Sequence, residues 1–369
     1  MGDAAGALDP TDRVLDLGAH HPSSHGLLRL HLELDDGRVV SAEPVVGYVH
    51  RGVEKLFEVR DYRQILVLSD RHDWLGAAGS EIGVALAVER MLGLEVPPRA
   101  TWLRTLLCEL MRVTSHLAFL GAFPGAEPAA AAARGARERL LHVLEALTGG
   151  RMHVMFTVVG GVREDVPAGW CDDLAAAVTA VRDAWPGIAG PVQAAAARHA
   201  GVGRLAPTAA LAHGVSGPAA RASGVDLDLR RDDPYLAYAE LADVLRVPVR
   251  ADGDVPARLE VVLDQVGVSL DLVDACTERV RTAAGPVGVR LPRILKVPEG
   301  WTYACTENPL GTNGYLLVSR GETTPWRLKL RTASFNNVSA LPAVLPGCTL
   351  AQVAPVLASM TYVVGDIDR

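Results

Sequence analysis

The chain has 369 residues, 49% hydrophobic and 21% charged, a balance that suits a globular protein of about two domains with a sizeable core. The formal net charge is −7 and no long Lys/Arg run occurs, so nucleic acid is not an expected partner. Mean hydropathy is +0.18, yet charged residues such as Glu89-Arg90 interrupt the best apolar windows before they reach the roughly 18 residues of a membrane span. The opening MGDAAGALDPTDR has neither a basic start nor an apolar core, so no secretory signal is read and the cytoplasm is the default compartment.

In chain order, residues 13–17 and 27–34 have strand character. In the second, Leu28, Leu30, Leu32 and Leu34 alternate with polar residues, the period of a half-buried strand. Asp35-Asp36-Gly37 supplies a hairpin turn into a return strand at 38–46. HHPSSHG is then the loop between the first two strands. From about 53 the pattern becomes helical, with one long apolar run at 61–92 ending at Gly93. Pro97-Pro98 opens a second helix at 99–121. Further helices fit 131–148, 172–184 and 255–283, with structured loops at 149–170 and 200–235. Strands return at 301–306, 314–319 and 325–331, and a last helix fits 349–360. The order is an N-terminal β-sheet carrying the histidine loop (1–52), a large helical core (53–290) and a small C-terminal α+β segment (291–369), together one lobed α+β unit.

Several clusters can carry chemistry, and each has a bland reading beside it. His21 and His25 have the i,i+4 spacing of helical metal ligands. Pro22 and Gly26 make the segment a loop, and a zinc site needs a third ligand. It is a turn with surface histidines or a loop offering imidazoles to a ligand. His50-Arg51-Gly52-Val53-Glu54-Lys55 joins the sheet to the first helix, where Glu54 complements the helix dipole. Asp70-Arg71-His72-Asp73-Trp74 lies inside an apolar helical run, as a solvated face or as a buried cluster that needs partners. Glu109, Arg112 and His116 share a helix face and suit a structural ion pair. The five cysteines are scattered with no C-x-x-C, which argues for buried apolar roles and against a self-contained metal or iron–sulfur site. Gly149–His153 lacks the spacing and Lys of a phosphate loop, and no G-x-G-x-x-G occurs.

Taken in order, LDLGAHHPSSHGLLRLHLEL (15–34), GYVHRGVEKLFEVRDY (47–62), DRHDWL (70–75), ELMRVTSH (109–116), GGRMH (149–153), ENPLGTNGYLLVS (307–319) and GDIDR (365–369) resemble the D-type subunits of the complex I-type NADH–quinone oxidoreductases, most of all the diverged second copy found in some actinobacteria. The resemblance runs nearly end to end. It implies the fold of a [NiFe]-hydrogenase large subunit, without the two C-x-x-C pairs that bind nickel and iron. It implies a peripheral subunit on the cytoplasmic side of the cell membrane, in a proton-translocating complex with subunits B and C and membrane-arm subunits. This chain would bind no cofactor: quinone is the substrate, and the terminal [4Fe–4S] cluster belongs to the neighbouring B-type subunit. In this reading His25 hydrogen-bonds a quinone carbonyl, with His21 in the same loop and Trp74 across the head-group. His50, Arg51, Arg71 and His153 face the cluster, where positive charge favours its reduced form. Two departures stand out. Trp74 occupies the place of a family tyrosine, and an indole N–H donates a hydrogen bond but is no acid near neutral pH. The acidic partner of the loop histidine is missing from a shortened segment in which Glu127 is the nearby carboxylate. A degenerate structural paralogue without quinone turnover is the alternative.

Overall fold

The computed structural model describes His21, Pro22 and residues 26–369. The expected strand at 13–17 and the roles of His25 lie outside the described residues. Strands β1 (Arg29–Asp35) and β2 (Arg38–Val45) form the hairpin set by the Asp-Asp-Gly turn, with Asp36 and Gly37 both at positive φ. The register slips between Glu33 and Leu34. The far edge of β2 bonds to the chain near Gly347 and Cys348.

A short helix α1 (Val53–Phe57) follows. The run at 61–92 is two helices, α2 (Gln64–Asp70) and α3 (Ala77–Leu92), separated by a break at 71–76. This corrects the single helix expected from hydropathy. The reason is polar satisfaction. Asp70, His72 and Asp73 are all buried, and on a continuous helix successive residues point about 100° apart, so they could not all reach partners. The break turns Asp70 toward one neighbour and His72 and Asp73 toward another. Gly76 permits it: a Cβ there would lie 2.3 Å from an Asp73 carboxylate oxygen.

Helix α4 (Pro98–Leu120) starts on the Pro pair and is buried along nearly its whole length. α5 (Glu127–Thr148) packs against it and along α6 (Trp170–Ala197). Between them lies a two-residue ribbon, β3 (Thr157–Val158) with β4 (Gly161–Val162), inside a segment read as loop. α6 continues past 184 through Pro186 and Pro191. The expected loop at 200–235 holds three short helices, α7 (Pro207–Ala212), α8 (Gly217–Ala222) and α9 (Leu229–Asp232). α10 (Val255–Thr282), capped by the Asp254 side chain on Ala257 N–H at 3.0 Å, lies against α4 and α6. The main apolar core fills the space among these long helices.

The C-terminal part is an antiparallel sheet in sequence order, β5 (Gly300–Asn308), β6 (Gly311–Ser319) and β7 (Arg327–Arg331). α3 packs on β5 and β6, with Gly83 allowing the Tyr315 ring to close on it. α11 (Ala333–Ser339), α12 (Leu341–Val344) and α13 (Leu350–Ser359) follow, and a final turn, α14 (Val364–Asp368), tucks inward. No helix among the described residues is long and apolar enough to cross a membrane.

Candidate functional site around the 71–76 break

The Asp70–Trp74 pentad is the hub. Asp70, fully buried, is paired through its carboxylate with His153 Nδ1, and Arg71 Nε stands 3.7 Å from it. The GGRMH segment delivers His153 because Gly150 has no Cβ: one would sit 2.3 Å from the His153 carbonyl. Burial pushes the Asp70 carboxyl up, but hydrogen bonds from His153 and Glu81 outweigh it and hold the group below its ordinary range. Glu81 of α3 goes the other way, raised well above normal by burial and by the Asp70 carboxylate beside it. It also accepts the Phe156 and Thr157 N–H groups at 3.1 and 2.8 Å. Arg51 donates to the Arg71 carbonyl at 3.1 Å, so His153 lies with the guanidinium-bearing Arg71 and Arg51 on one partly exposed edge.

The opposite side of the break is buried and polar. His72 Nδ1 lies 2.9 Å from Asp366 of α14, whose second oxygen accepts the Ser334 N–H at 2.8 Å. Trp74 packs on the small cluster of Leu75, Phe119, Leu310, Ala333 and Val363. It closes over Gly365, where a Cβ would be 2.2 Å from Trp74 Cζ3. Its indole N–H is buried and has no hydrogen-bond partner among the described residues. The buried His21 ring meets the other face of this region, edge-on to Phe119 at 6.0 Å between centroids. Burial lowers its pKa to about 4, so it is neutral at physiological pH. Gly26, at the end of the histidine loop, approaches Val364 so closely that a Cβ would stand 2.9 Å away. The loop ends, Trp74 and the C-terminal turn therefore converge.

That turn also locks the HRG segment. Asp368 accepts the Gly47 and Val49 N–H groups at 2.7 and 2.8 Å, and His50 Nδ1 lies 2.5 Å from its carbonyl. His50 thus faces the C-terminal turn, while its neighbour Arg51 reaches Arg71. Glu54 does sit in the first turn of α1, but its carboxylate is bound to β7 through Arg327 at 2.6 Å, Lys329 at 2.8 Å and the Leu330 N–H at 3.1 Å. Glu127 is exposed at the start of α5 and accepts the Gly125 N–H at 3.0 Å. Sequence reasoning missed Asp366, Asp368, Glu81 and Asn308 as site components. Asp366 and Asp368 lie in the quoted GDIDR motif and Asn308 in the quoted ENPLGTNGYLLVS, so the signal for those three was present and only Glu81 had none.

Glu109, Arg112 and His116 lie apart from this hub. Glu109 is ringed by Tyr238 Oη (2.6 Å), Ser269 Oγ (2.7 Å), Arg230 (3.1 Å) and Arg112 (3.3 Å), all buried. Asp228 and Glu307 pair with Arg230 and Arg221. Three carboxylates balance three guanidiniums, a structural ion network as the spacing suggested. His116 instead meets Gln265 at 3.1 Å. Four of the cysteines are buried, Cys305 is half-buried, and none is in a disulfide. Among the described residues no group of three His, Cys, Asp or Glu side chains is arranged to hold a metal ion.

The family described as respiratory-chain NADH dehydrogenase, 49 kDa subunit, matches residues 125–296 and 289–369. The first of the numbered D-type NADH-quinone oxidoreductase subunits of Streptomyces coelicolor is 57% identical over 99% of this chain and 97% of its own length. The chain belongs to this family. The second numbered copy in Salinispora tropica is 59% identical over 97% of this chain and 94% of its own, so numbered copies of this subunit in actinobacteria are among the near relatives. The counterpart in Geobacillus thermodenitrificans, which carries no copy number, is 38% identical over 97% of this chain and 98% of its own. Among solved structures, a chain of the membrane-bound sulfane sulfur reductase, an archaeal respiratory membrane complex, superposes with a TM-score of 0.88 at 32% identity, covering 95% of this chain and 96% of that one.

Proposed function

We propose that this chain is the quinone-site subunit of a proton-translocating NADH–quinone oxidoreductase and helps to pass electrons from the iron–sulfur chain to quinone. The observation that carries this is the convergence, around one helix break, of an arginine-bearing edge and an apolar cluster that includes a buried, unpartnered indole N–H. The edge of Arg51, Arg71 and His153 suits a negatively charged iron–sulfur cluster on a neighbouring subunit, because nearby positive charge favours the reduced form. The wall of Trp74, Phe119 and Val363 suits a flat head-group, with the Trp74 N–H as a donor. His25 and His21 then border the head-group from the loop, with Glu127 as the candidate acidic partner of His25. Subunits B and C of a peripheral arm and the membrane-arm subunits are the expected neighbours, with the chain peripheral on the cytoplasmic face. The three sequence segments serve as one unit, since the pocket draws on all of them.

His25→Ala tests this reading in the assembled complex. Turnover of quinone falls while the amount of assembled subunit stays constant. Unchanged turnover removes His25 from the site. A wild-type complex that assembles yet reduces no quinone leaves only a structural role.

A further inference from the structure

Three consecutive residues at the break, His72, Asp73 and Trp74, each carry a buried polar atom with no hydrogen-bond partner among the described residues: His72 Nε2, Asp73 Oδ1 and Trp74 Nε1. Buried polar atoms are nearly always partnered, so unpartnered ones in sequence mark a place where polar chemistry is held in readiness. Asn313 Nδ2, from β6, is another such atom. Asp73 is 1% exposed, and its other oxygen meets Asn308 Nδ2 at a long 3.5 Å. Burial, and then the Asp366 carboxylate, push its pKa up to about 7. The groups that face this cluster come from every side. Asp366 comes from α14, Tyr315 from β6, and Arg331 from β7 faces Asp366. Asp70 of the same segment turns to His153 instead, with Arg71 beside its carboxylate.

We propose that His72, Asp73 and Asp366 form a proton-holding relay behind Trp74, storing a proton on the Asp73 carboxyl and releasing it to the quinone as it is reduced. The indole at position 74 has no proton to give near neutral pH. The residue before it does. The relay rests on the quinone-site reading above and adds the source of a proton to it. In the step, quinone accepts two electrons, which an iron–sulfur cluster on a neighbouring subunit would supply. The Asp73 O–H bond breaks, an O–H bond forms at one quinone oxygen to give the hydroquinone monoanion, which takes its second proton from water, and Asp73 is left as carboxylate. His72 is anchored by Asp366 through Nδ1 and keeps its buried Nε2 unpartnered in the same cluster. Asp366 is a positioning residue: it holds His72 and, by its own charge, keeps Asp73 protonated.

Infrared titration of the full chain reads the stored proton directly. A protonated buried carboxyl gives a carbonyl band that 13C-labelled aspartate displaces and that fades near pH 7. Asp73→Asn removes the band, and His72→Gln shifts its midpoint. In the assembled complex, Asp73→Asn lowers kcat for quinone roughly 10²-fold with KM unchanged and flattens the pH profile near 7, and Asp73→Glu restores part of it. No such band in the wild-type chain overturns the relay, whether or not the variants fold. So does an Asp73→Asn complex with the wild-type pH profile, and in either case the quinone-site reading stands. A wild-type complex that reduces no quinone overturns that reading and the delivery step together, while the titration still decides whether Asp73 holds the proton.

Discussion

Gly365→Ala is the sharpest probe of how the Trp74 indole is set. The added Cβ would sit 2.2 Å from Trp74 Cζ3 and 2.9 Å from Cε3, with the His72 carbonyl also at 2.9 Å. Carbon atoms in contact prefer about 3.5–4.0 Å, so the indole must retreat by roughly 1.5 Å. It cannot do so freely, because Leu75, Phe119, Leu310 and Val363 pack around it. The His72 carbonyl belongs to the backbone that holds the relay and has less room to move than a side chain. Overpacking of this kind costs about 1–3 kcal/mol. Urea unfolding of the full chain should show that loss, and the assembled complex should show a raised quinone KM from the displaced indole. Trp74→Phe removes the outer ring that carries Cζ3. The double variant should therefore be more stable than the sum of the two single changes by about 0.5 kcal/mol or more. A single-variant change below about 0.5 kcal/mol with unaltered KM would refute the claim that Gly365 sets the position of Trp74.

Two further outcomes follow from burial and charge. Glu109→Gln leaves Arg112 and Arg230 facing a neutral amide in a fully buried site, and should destabilise the chain by about 3–5 kcal/mol in chemical denaturation; a change under about 1 kcal/mol would show that the network is not held by that carboxylate. His21 titrates in the other sense: its folded pKa, about 4, lies below the ordinary 6.5, so its contribution is full above pH 6.5 and is lost as pH falls toward 4, by up to about 3 kcal/mol. His21→Gln should flatten the stability profile across that window, and an unchanged slope would place the titrating group elsewhere.

Much of this architecture is legible in the sequence, because hairpin turns, Pro-initiated helices and the alternating strands at both ends follow local rules. The Asp-Asp-Gly turn and the Pro97-Pro98 start are such cases. The helix break was not legible, since Leu, Val and Ile on either side of Asp70–Trp74 continue a helical period. Only the distant partners Asp366, Asn308 and His153 make the break favourable, and no local window contains them. The same holds for Asp73: its charge pattern reads as a solvated face, and its burial arises from β5 and the C-terminal turn. The short helices at 207–232 were hidden for a simpler reason, being too brief to show periodicity.

The C-terminal turn has a bearing on biogenesis. Asp368 holds Gly47 across 321 positions, and Asp366 holds His72 across 294. Contacts so remote in sequence form late, after the loop entropy of everything between them has been overcome. Until residues 365–369 dock, the HRG segment lacks its acceptors and the indole lacks its floor. The cluster around Trp74 is thus a report on completed folding. A chain whose two ends have not met would lack the finished cluster around Trp74 and the acceptors of the HRG segment.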